Sequence, residues 1–219
     1  LVGSEMGIRD RSTSAVIEET LAALQAAGRA PYFIPEGGSN AVGSAGYLAM
    51  VPELLAQAGS LPVPPARLVC TMGSLGTFAG LWLGARAFGA PFSVTGVAVN
   101  PTTGYTREKA AALVNEMSAA YGLDIAAAPE DMDIIYADAA HDYAGSGYNV
   151  PDAKTRGAVE LLARTEGIFL DPCYTAKSFR GFCDIARELD GGAIFVHTGG
   201  TPALWTQEHL DAFAADYWN

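Results

Sequence analysis

The stretch Arg67–Phe88, RLVCTMGSLGTFAGLWLGARAF, decides the fold of this chain. A short apolar run, Leu68–Cys70, leads into the glycine-rich segment Thr71–Thr77, and an Ala- and Gly-rich segment at helical spacing follows. This order predicts a strand, a tight turn and a helix. Because such a turn exposes backbone N–H groups and a helix start carries partial positive charge, the pattern also indicates a phosphate site. Ser74 and Thr77 would add hydroxyls. A tight connection that binds no ligand explains the pattern as well.

Strand-like and helix-like segments alternate along the chain. The predicted strands are Pro31–Pro35, Leu68–Cys70, Pro91–Val99, Met132–Tyr136, Gly167–Leu170 and Ala193–Val196. The predicted helices are Ser14–Gly28, Gly43–Gln57, the segment after Thr77, Thr106–Tyr121, Pro151–Glu166, Ala176–Leu189, Pro202–Trp205 and Gln207–Tyr217. Helical connections of this kind suit crossovers between parallel strands. We therefore predict an α/β fold, with a mainly parallel sheet covered by helices on both faces.

Two residues bear on the predicted helix boundaries. Ser14 is a candidate N-cap of the first helix. Pro52 should kink the second helix or reset its start, because proline lacks the N–H that a helix interior needs. The small residues Gly43–Gly46 in the same segment favour close packing against a neighbour.

Four polar or glycine-rich segments follow predicted strands or fill the longest predicted loop. They are Thr71–Thr77, the loop Asp138–Val150 around Tyr148, Asp171–Thr175 and His197–Gly200. Ligands of parallel sheets bind beyond the carboxyl ends of the strands, where these segments should meet. Their convergence favours a phosphate-bearing ligand.

Composition excludes several classes of protein. Of the 219 residues, 50% are hydrophobic and 17% are charged, which indicates a globular protein with a sizeable core. The formal net charge of −11 argues against a nucleic-acid or anionic-membrane partner. No apolar run reaches the ~20 residues of a membrane span, and the polar start does not resemble a signal peptide. The three cysteines, Cys70, Cys173 and Cys183, lack metal-ligand spacing. We therefore expect a cytoplasmic protein with reduced, buried cysteines.

Several familiar chemistries lack their motifs. The turn after Cys70 has no lysine for a Walker A loop, the dinucleotide fingerprint is missing, and the next strand ends in Asn100 rather than in an acidic residue. The nucleophile motif of serine hydrolases is also absent. The histidines His141, His197 and His209 are scattered, which does not suggest a metal site.

Four motifs together resemble the D-cysteine desulfhydrase / 1-aminocyclopropane-1-carboxylate deaminase family. They are PYFIPEGGSNAVGSAGY, TMGSLGTFAGLWLGARA, SGYNVPDAKTRGAVELLARTEGIFLDPCYTAKSF and IFVHTGGTPAL, and the resemblance runs from about Ala30 to Leu204. Members of this family are pyridoxal-phosphate enzymes of the tryptophan-synthase-β fold type, fold type II. The resemblance implies that residues 1–36 are a remnant of a small domain and that residues 37–219 form the large pyridoxal-phosphate-binding domain.

The resemblance also implies a set of site residues. The cofactor's phosphate would lie on Gly73, Ser74, Leu75, Gly76 and Thr77. Tyr148 and Tyr174 match two active-site tyrosines, of which Tyr174 would act as acid or base beside the substrate. Because a tyrosine with its usual pKa near ~10 is rarely ionised at neutral pH, the site must favour the phenolate or use the phenol as a donor. Aromatic packing with satisfied hydroxyls is the alternative for both residues.

Two threonines separate branches of the family. Thr175 stands where the deaminase branch has a glutamate at the pyridine nitrogen. Thr198 places a second hydroxyl after the last predicted strand. The alternative role for Thr198 is simple capping of the next turn. A hydroxyl cannot stabilise a protonated pyridinium as a carboxylate can. The resemblance therefore favours loss of a good β-leaving group over cleavage of a cyclopropane ring.

The chain departs from the family at the lysine that holds the cofactor as a Schiff base. Its only lysines are Lys109, Lys154 and Lys177, and none lies in a matching segment. We interpret Lys109 and Lys154 as solvated helix residues. The sequence begins at Leu1 rather than at methionine, and we expect a fragment that lacks the Schiff-base lysine and turns over no substrate by itself.

The resemblance implies a D-cysteine desulfhydrase-like lyase that gives pyruvate, hydrogen sulfide and ammonia, and a homodimer when full length. The alternatives are a 1-aminocyclopropane-1-carboxylate deaminase, a cysteate sulfo-lyase, a non-catalytic domain that binds a phosphorylated small molecule, and an unrelated α/β activity.

Overall fold

The computed structural model describes residues 13–101 and 103–218, so the expectations about the first 12 residues lie outside the described part of the chain. The chain divides into two compact units after Pro35. The first unit contains helix α1 (Thr13–Ala26). The assignment of this unit to a small domain, and of the rest to a large one, stays a prediction.

The second unit contains the other helices and the sheet. Its elements are α2 (Ala41–Ala58), β1 (Pro65–Met72), α3 (Gly76–Ala87), β2 (Ser93–Ala98), α4 (Arg107–Ala120), β3 (Ile134–Ile135), α5 (Ala153–Glu166), α6 (Thr175–Glu188), β4 (Gly192–Val196) and α7 (Gln207–Trp218). Short 3₁₀ turns lie at Glu36–Gly38, Pro129–Asp131 and Thr201–Trp205. Among the described helices, none is long and apolar enough to cross a membrane.

The sheet is parallel, as predicted. Its strand order is β3-β2-β1-β4, and each neighbouring pair runs in the same direction. Strand β1 is central: Leu68 lies opposite Val94 on one side and Ile194 on the other. The β1–α3 unit that the opening stretch predicted is therefore the centre of the fold.

Helices cover both faces of this sheet, which confirms the predicted layers. On one face, Leu68 and Cys70 pack with Phe78 of α3 in the larger core cluster. On the other face, Val69 and Val97 pack with residues of α6 and with Tyr143, which lies in the loop between β3 and α5. Successive strand residues point to opposite faces, so the continuous apolar runs in β1 and β2 reflect burial on both sides.

Helix α2 packs very closely on α3, as its small residues predicted. A Cβ on Gly80 of α3 would lie 2.5 Å from the Ser44 carbonyl oxygen and 2.7 Å from the Tyr47 Cβ. A Cβ on Gly84 would lie 2.7 Å from a methyl group of Val51. Glycine at these two positions therefore allows the helices to approach, and Ser44 is fully buried between them.

Three local predictions are wrong. The segment Pro31–Pro35 forms no strand, since the prolines at its ends lack N–H groups and Tyr32 is 70% exposed. The segment Gly167–Leu170 forms no strand either: Gly167 ends α5 in a left-handed conformation, and too few residues remain before the next turn to build a ladder. Ser14 lies within α1 rather than capping it.

The second helix also differs from its prediction. Asn40 caps it, because the Asn40 side chain accepts a hydrogen bond of 2.8 Å from the Gly43 N–H, and the helix therefore starts at Ala41. It then continues through Pro52 to Ala58. Tight packing on α3 holds the helix together across the missing hydrogen bond of the proline.

The α2–α3 contact can be tested with a matched pair of glycines. We expect Gly80→Ala to lower the free energy of unfolding by about 1–3 kcal/mol, because its Cβ would overlap the α2 backbone. Gly46→Ala, in α2, should raise it by up to about 1 kcal/mol, because a Cβ there meets no atom within 4 Å and alanine favours helix. Urea denaturation followed by circular dichroism measures both values. Equal effects at the two sites would contradict the packing.

Candidate active site

A cavity of about 870 Å³ opens beyond the carboxyl ends of β1, β2 and β4. It is lined by Glu36, Gly37, Thr71, Gly73, Ser74, Thr77, Val99, Asn100, Thr103, Gly104, Tyr105, Lys109, Tyr148, Tyr174, Thr198, Gly199 and Gly200. The cavity therefore joins the segments that the sequence placed at the strand ends, which was the basis for predicting a ligand site there.

The floor of the cavity is the turn between β1 and α3. Ser74 and Thr77 line it, and Gly73 leaves room beside Tyr174, since a Cβ there would lie 3.0 Å from the tyrosine ring. Helix α3 begins at Gly76. Hydroxyls, a glycine and a helix start are together the features that anion-binding turns share.

A second turn, which the sequence interpretation did not assign to the site, supports this floor. The Ser39 hydroxyl donates to the Ser74 hydroxyl at 2.9 Å and accepts from the Gly76 N–H at 3.1 Å. A Cβ on Gly37 would lie 2.3 Å from the Ser74 Oγ, so this turn packs directly on Ser74. The Gly-Gly-Ser-Asn sequence suggested a turn, but only the fold shows where the turn packs.

The two predicted tyrosines meet at the cavity. The Tyr148 and Tyr174 hydroxyls form a hydrogen bond, and their rings lie edge to face with centroids 5.6 Å apart. Burial raises the pKa of Tyr174, and its hydrogen bond with Tyr148 raises that pKa further. Tyr174 is therefore a neutral phenol at neutral pH, which suits a proton donor better than a phenolate base.

A buried carboxylate holds Tyr174 in place. Asp171 is fully buried and accepts hydrogen bonds of 2.7–2.9 Å from the N–H groups of Cys173, Tyr174 and Thr175. The Thr175 hydroxyl donates to the same carboxylate at 2.7 Å. A Cβ on Gly200, which has φ 90°, would lie 2.6 Å from an Asp171 oxygen. Asp171 thus fixes the start of α6 and packs against the last glycine of the cavity wall.

Three residues predicted to bind the cofactor do not line the cavity. The buried Thr175 hydroxyl donates to Asp171 and accepts from the Asp171 N–H, so its side chain is used within the fold. The Leu75 side chain belongs to the larger core cluster. The Gly76 N–H donates to Ser39. For these three positions the sequence pattern identified the correct turn but not which groups face outward.

Thr198 does line the cavity, on the β4 side. Its neighbour His197 accepts from the Gly199 N–H through Nδ1 at 3.1 Å, and so its Nε2 carries the proton that bonds to the Phe169 carbonyl at 2.9 Å. His197 thereby connects the segment after β4 to the segment before α6. Both ring nitrogens of His197 are therefore used in hydrogen bonds within the fold.

The β2 side of the cavity was missed by the sequence analysis. Asn100, Thr103 and Tyr105 line it, and Lys109 at the start of α4 lines it too while donating to the Gly104 carbonyl at 2.7 Å. The expectation that Lys109 is only a solvated helix residue is therefore incomplete. A helix pattern shows that a lysine is exposed, but it does not show which cavity the exposed face borders.

The other two lysines lie elsewhere. Lys154 is exposed and pairs with Asp142 at 2.7 Å. Lys177 is fully buried, and its Nζ donates to the carbonyl oxygens of Ala144 and Gly147 at 2.7 and 2.8 Å. Burial lowers the pKa of Lys177.

The cysteines are free, with Cys70 and Cys173 buried and Cys183 partly buried. Burial raises the pKa of Cys70 to about 12, so its thiol is inert at neutral pH.

Comparisons with known proteins agree with the motifs. The family model described as "Pyridoxal-phosphate dependent enzyme" matches residues 3–199. A Pyrococcus abyssi protein, provisionally named a 1-aminocyclopropane-1-carboxylate deaminase, is 32% identical over 94% of this chain and 62% of its own length. A D-cysteine desulfhydrase of Klebsiella pneumoniae is 37% identical over 88% of this chain and 57% of its own length. The crystal structure of an ACC deaminase homologue superposes with a TM-score of 0.79 at 28% identity, covering 96% of this chain and 63% of that one.

The chain therefore belongs to the family of pyridoxal-phosphate-dependent enzymes, and the family resemblance and fold type predicted from its motifs are confirmed. It spans about three fifths of the length of these relatives. The hydroxyls of Ser74 and Thr77 and the start of α3 have the chemistry that a phosphate group requires. The described residues complete the cavity floor without supplying a family-type lysine segment.

The contribution of the Asp171 carboxylate to stability can be tested by comparison with that of an ordinary helix N-cap. We expect Asp171→Asn to lower the free energy of unfolding by about 2–4 kcal/mol, because an amide cannot accept four hydrogen bonds in a buried site. Asp152, which accepts from the Thr155 N–H at the start of α5, is the control. Asp152→Asn should change stability by no more than about 0.5 kcal/mol, since asparagine caps a helix as well as aspartate does. Similar losses for both variants would contradict the special role of Asp171.

Proposed function

We propose that this chain is the cofactor-binding part of a β-elimination lyase that acts on a small thiol amino acid such as D-cysteine. The reaction would consume water and yield pyruvate, hydrogen sulfide and ammonia. The observation that carries the proposal is the neutral Tyr174 phenol, held beside the anion-binding turn and in contact with Tyr148. The homology to a D-cysteine desulfhydrase supports the same class of reaction.

Different residues around the cavity would bind different parts of the cofactor. Ser74, Thr77 and the start of α3 would bind the phosphate of pyridoxal phosphate, with Ser39 orienting the Ser74 hydroxyl. When bound, the cofactor would withdraw electrons from the substrate's α-carbon. Thr198 would face the far end of the cofactor ring with a hydroxyl rather than with a carboxylate.

Tyr174 would donate the proton that the leaving group needs. In a β-elimination the bond between Cβ and sulfur breaks and sulfur takes both electrons, so a nearby phenol assists by protonating the sulfur. Tyr148 would orient the Tyr174 hydroxyl. A Cβ on Gly73 would lie 3.0 Å from the Tyr174 ring, so the ring lies beside the turn that would bind the phosphate, which supports this role.

Within this chain no described lysine is a clear anchor for the cofactor. Lys154 is paired on the surface, and Lys177 is bonded to two backbone carbonyls. Lys109 borders the cavity, but its ammonium is bonded to Gly104. A non-catalytic domain that binds a phosphorylated small molecule is therefore the second candidate for the isolated chain. Hydrogen sulfide release by a longer protein that contains this chain separates the two candidates, and borohydride treatment of this chain after incubation with pyridoxal phosphate tests whether it supplies its own anchor. A stoichiometric adduct on one lysine, Lys109 above all, would show that the chain supplies its own anchor.

The phosphate turn can be tested on this chain directly. We expect Thr77→Val to weaken the binding of pyridoxal phosphate roughly tenfold, because it removes one hydrogen bond to a charged group. The affinity for pyridoxal, which has no phosphate, should stay the same. Thr165→Val, which removes an exposed hydroxyl bonded within α5, is the matched control and should change neither affinity. Absorbance titration measures all four values, and an equal loss for both ligands would argue against a phosphate site.

The role of Tyr174 can be tested in a longer protein that contains this chain and an anchoring lysine. We expect Tyr174→Phe to lower kcat for hydrogen sulfide release from D-cysteine by about 10²–10⁴-fold, because a general acid is lost. Tyr121→Phe removes a hydroxyl that bonds to Ala41 outside the cavity, and it should leave kcat unchanged. Assays for sulfite from cysteate and for 2-oxobutyrate from 1-aminocyclopropane-1-carboxylate test the alternative substrates. Unchanged turnover in the Tyr174 variant would refute its proposed role.

A further inference from the structure

The loop between β3 and α5 carries Tyr148 into the cavity but contains almost no regular secondary structure. Its two ends are held by side chains. Near its start, Asp142 pairs with Arg180 at 2.5 Å, and near its end the Asn149 side chain is bonded to the buried His209 at 3.2 Å. These contacts do not by themselves define the part of the loop that directly precedes Tyr148.

Lys177 holds that middle part. Its ammonium donates to the carbonyl oxygens of Ala144 and Gly147, the second of which immediately precedes Tyr148. Between them lies Gly145, with φ 66° and a position where a Cβ would lie 3.4 Å from the Val150 carbonyl oxygen. The ammonium therefore joins two short hydrogen-bonded turns of the loop, in which the Gly145 N–H donates to the Asp142 carbonyl and the Val150 N–H donates to the Gly147 carbonyl.

Tyr174 is the N-cap of α6, the helix that carries Lys177. Lys177 lies three positions after Tyr174, so the first turn of α6 fixes their spacing, and the Tyr148 and Tyr174 hydroxyls form a hydrogen bond. Among residues 13–101 and 103–218, no carboxylate forms an ion pair with Lys177. Electrostatic interactions with Cys173, Asp152 and Asp171 favour its charged form without a direct ion pair, whereas Arg180 opposes it. A buried cation with carbonyl partners alone is costly, which indicates a specific role.

We propose that Lys177 is a positioning residue, which sets the Tyr148–Tyr174 contact by fixing the loop backbone at Ala144 and Gly147. The importance of this contact for catalysis rests on the proposed function, but the positioning itself does not. Lys177 touches neither the cavity nor the reacting atoms, and it acts through the loop.

The test uses this chain without cofactor or substrate. We expect Lys177→Met to raise the hydrogen exchange of the loop amides at 144–150 by roughly tenfold or more, because the loop loses its central anchor. Tyr174 should also ionise at a lower pH, because its partner moves away and the site opens to water. The ¹³C resonances of labelled tyrosine rings report this ionisation, and Tyr148→Phe shows the shift that loss of the partner alone produces.

Two further variants keep the test decisive. Lys154→Met removes an exposed lysine that also contacts the loop, and it should leave both measurements unchanged. Gly145→Ala changes the loop backbone and leaves Lys177 in place, so it should also lower the pH at which Tyr174 ionises. This variant keeps the test available if Lys177→Met fails to fold. A folded Lys177→Met protein with parental exchange and parental Tyr174 ionisation would overturn the proposal, as would an unaffected Gly145→Ala protein. Because no turnover is measured, failure of the lyase assignment would not affect this result.

Discussion

The cavity depends on one buried carboxylate. Asp171 lies between the end of α5 and the start of α6, and it accepts three backbone N–H groups and one hydroxyl there. A buried charge is tolerated only when its lone pairs are satisfied, and here the unpaired N–H groups at a helix start satisfy them. The same contact aims Tyr174 at the phosphate turn and requires glycine at position 200. Asp171 therefore fixes the positions of both Tyr174 and Gly200, which line the cavity.

Helix α6 extends this arrangement to the rest of the site. The Ser178 hydroxyl forms a buried hydrogen bond with Thr71 at the end of β1, so the helix is fixed to the strand that leads into the phosphate turn. One turn of α6 therefore carries Tyr174 at its start, Lys177 against the Tyr148 loop and Ser178 against β1. The relative positions of the tyrosine pair and the turn follow from this one helix, and they do not depend on loop conformation alone.

The sequence predicted what local pattern controls. Apolar runs, helical spacing and glycine-rich turns identified the parallel sheet and the β1–α3 turn, because these features are encoded within short segments. Tyr148 and Tyr174 were singled out only by the family resemblance of their motifs. The sequence could not predict that Ser39 supports the cavity floor or that Lys109 lines the cavity, since their places depend on how distant elements pack. It misplaced Thr175 for a related reason: the motif marks the helix start, while the buried Asp171 decides that the hydroxyl turns inward. The predicted strand at Gly167–Leu170 failed because β propensity does not supply a pairing partner.

Lysines of the same chemistry have different hydrogen-bond partners in this fold. Lys177 lies in a motif of a family that uses a lysine to hold its cofactor, yet its ammonium is enclosed by backbone carbonyls and cannot reach the cavity without breaking both bonds. Lys109 borders the cavity, yet its ammonium donates a hydrogen bond to the Gly104 carbonyl at the edge of the cavity. Among the described residues, the turn at Gly73–Thr77 and the Tyr148–Tyr174 pair border the same cavity, while none of the three lysines extends a free ammonium into it.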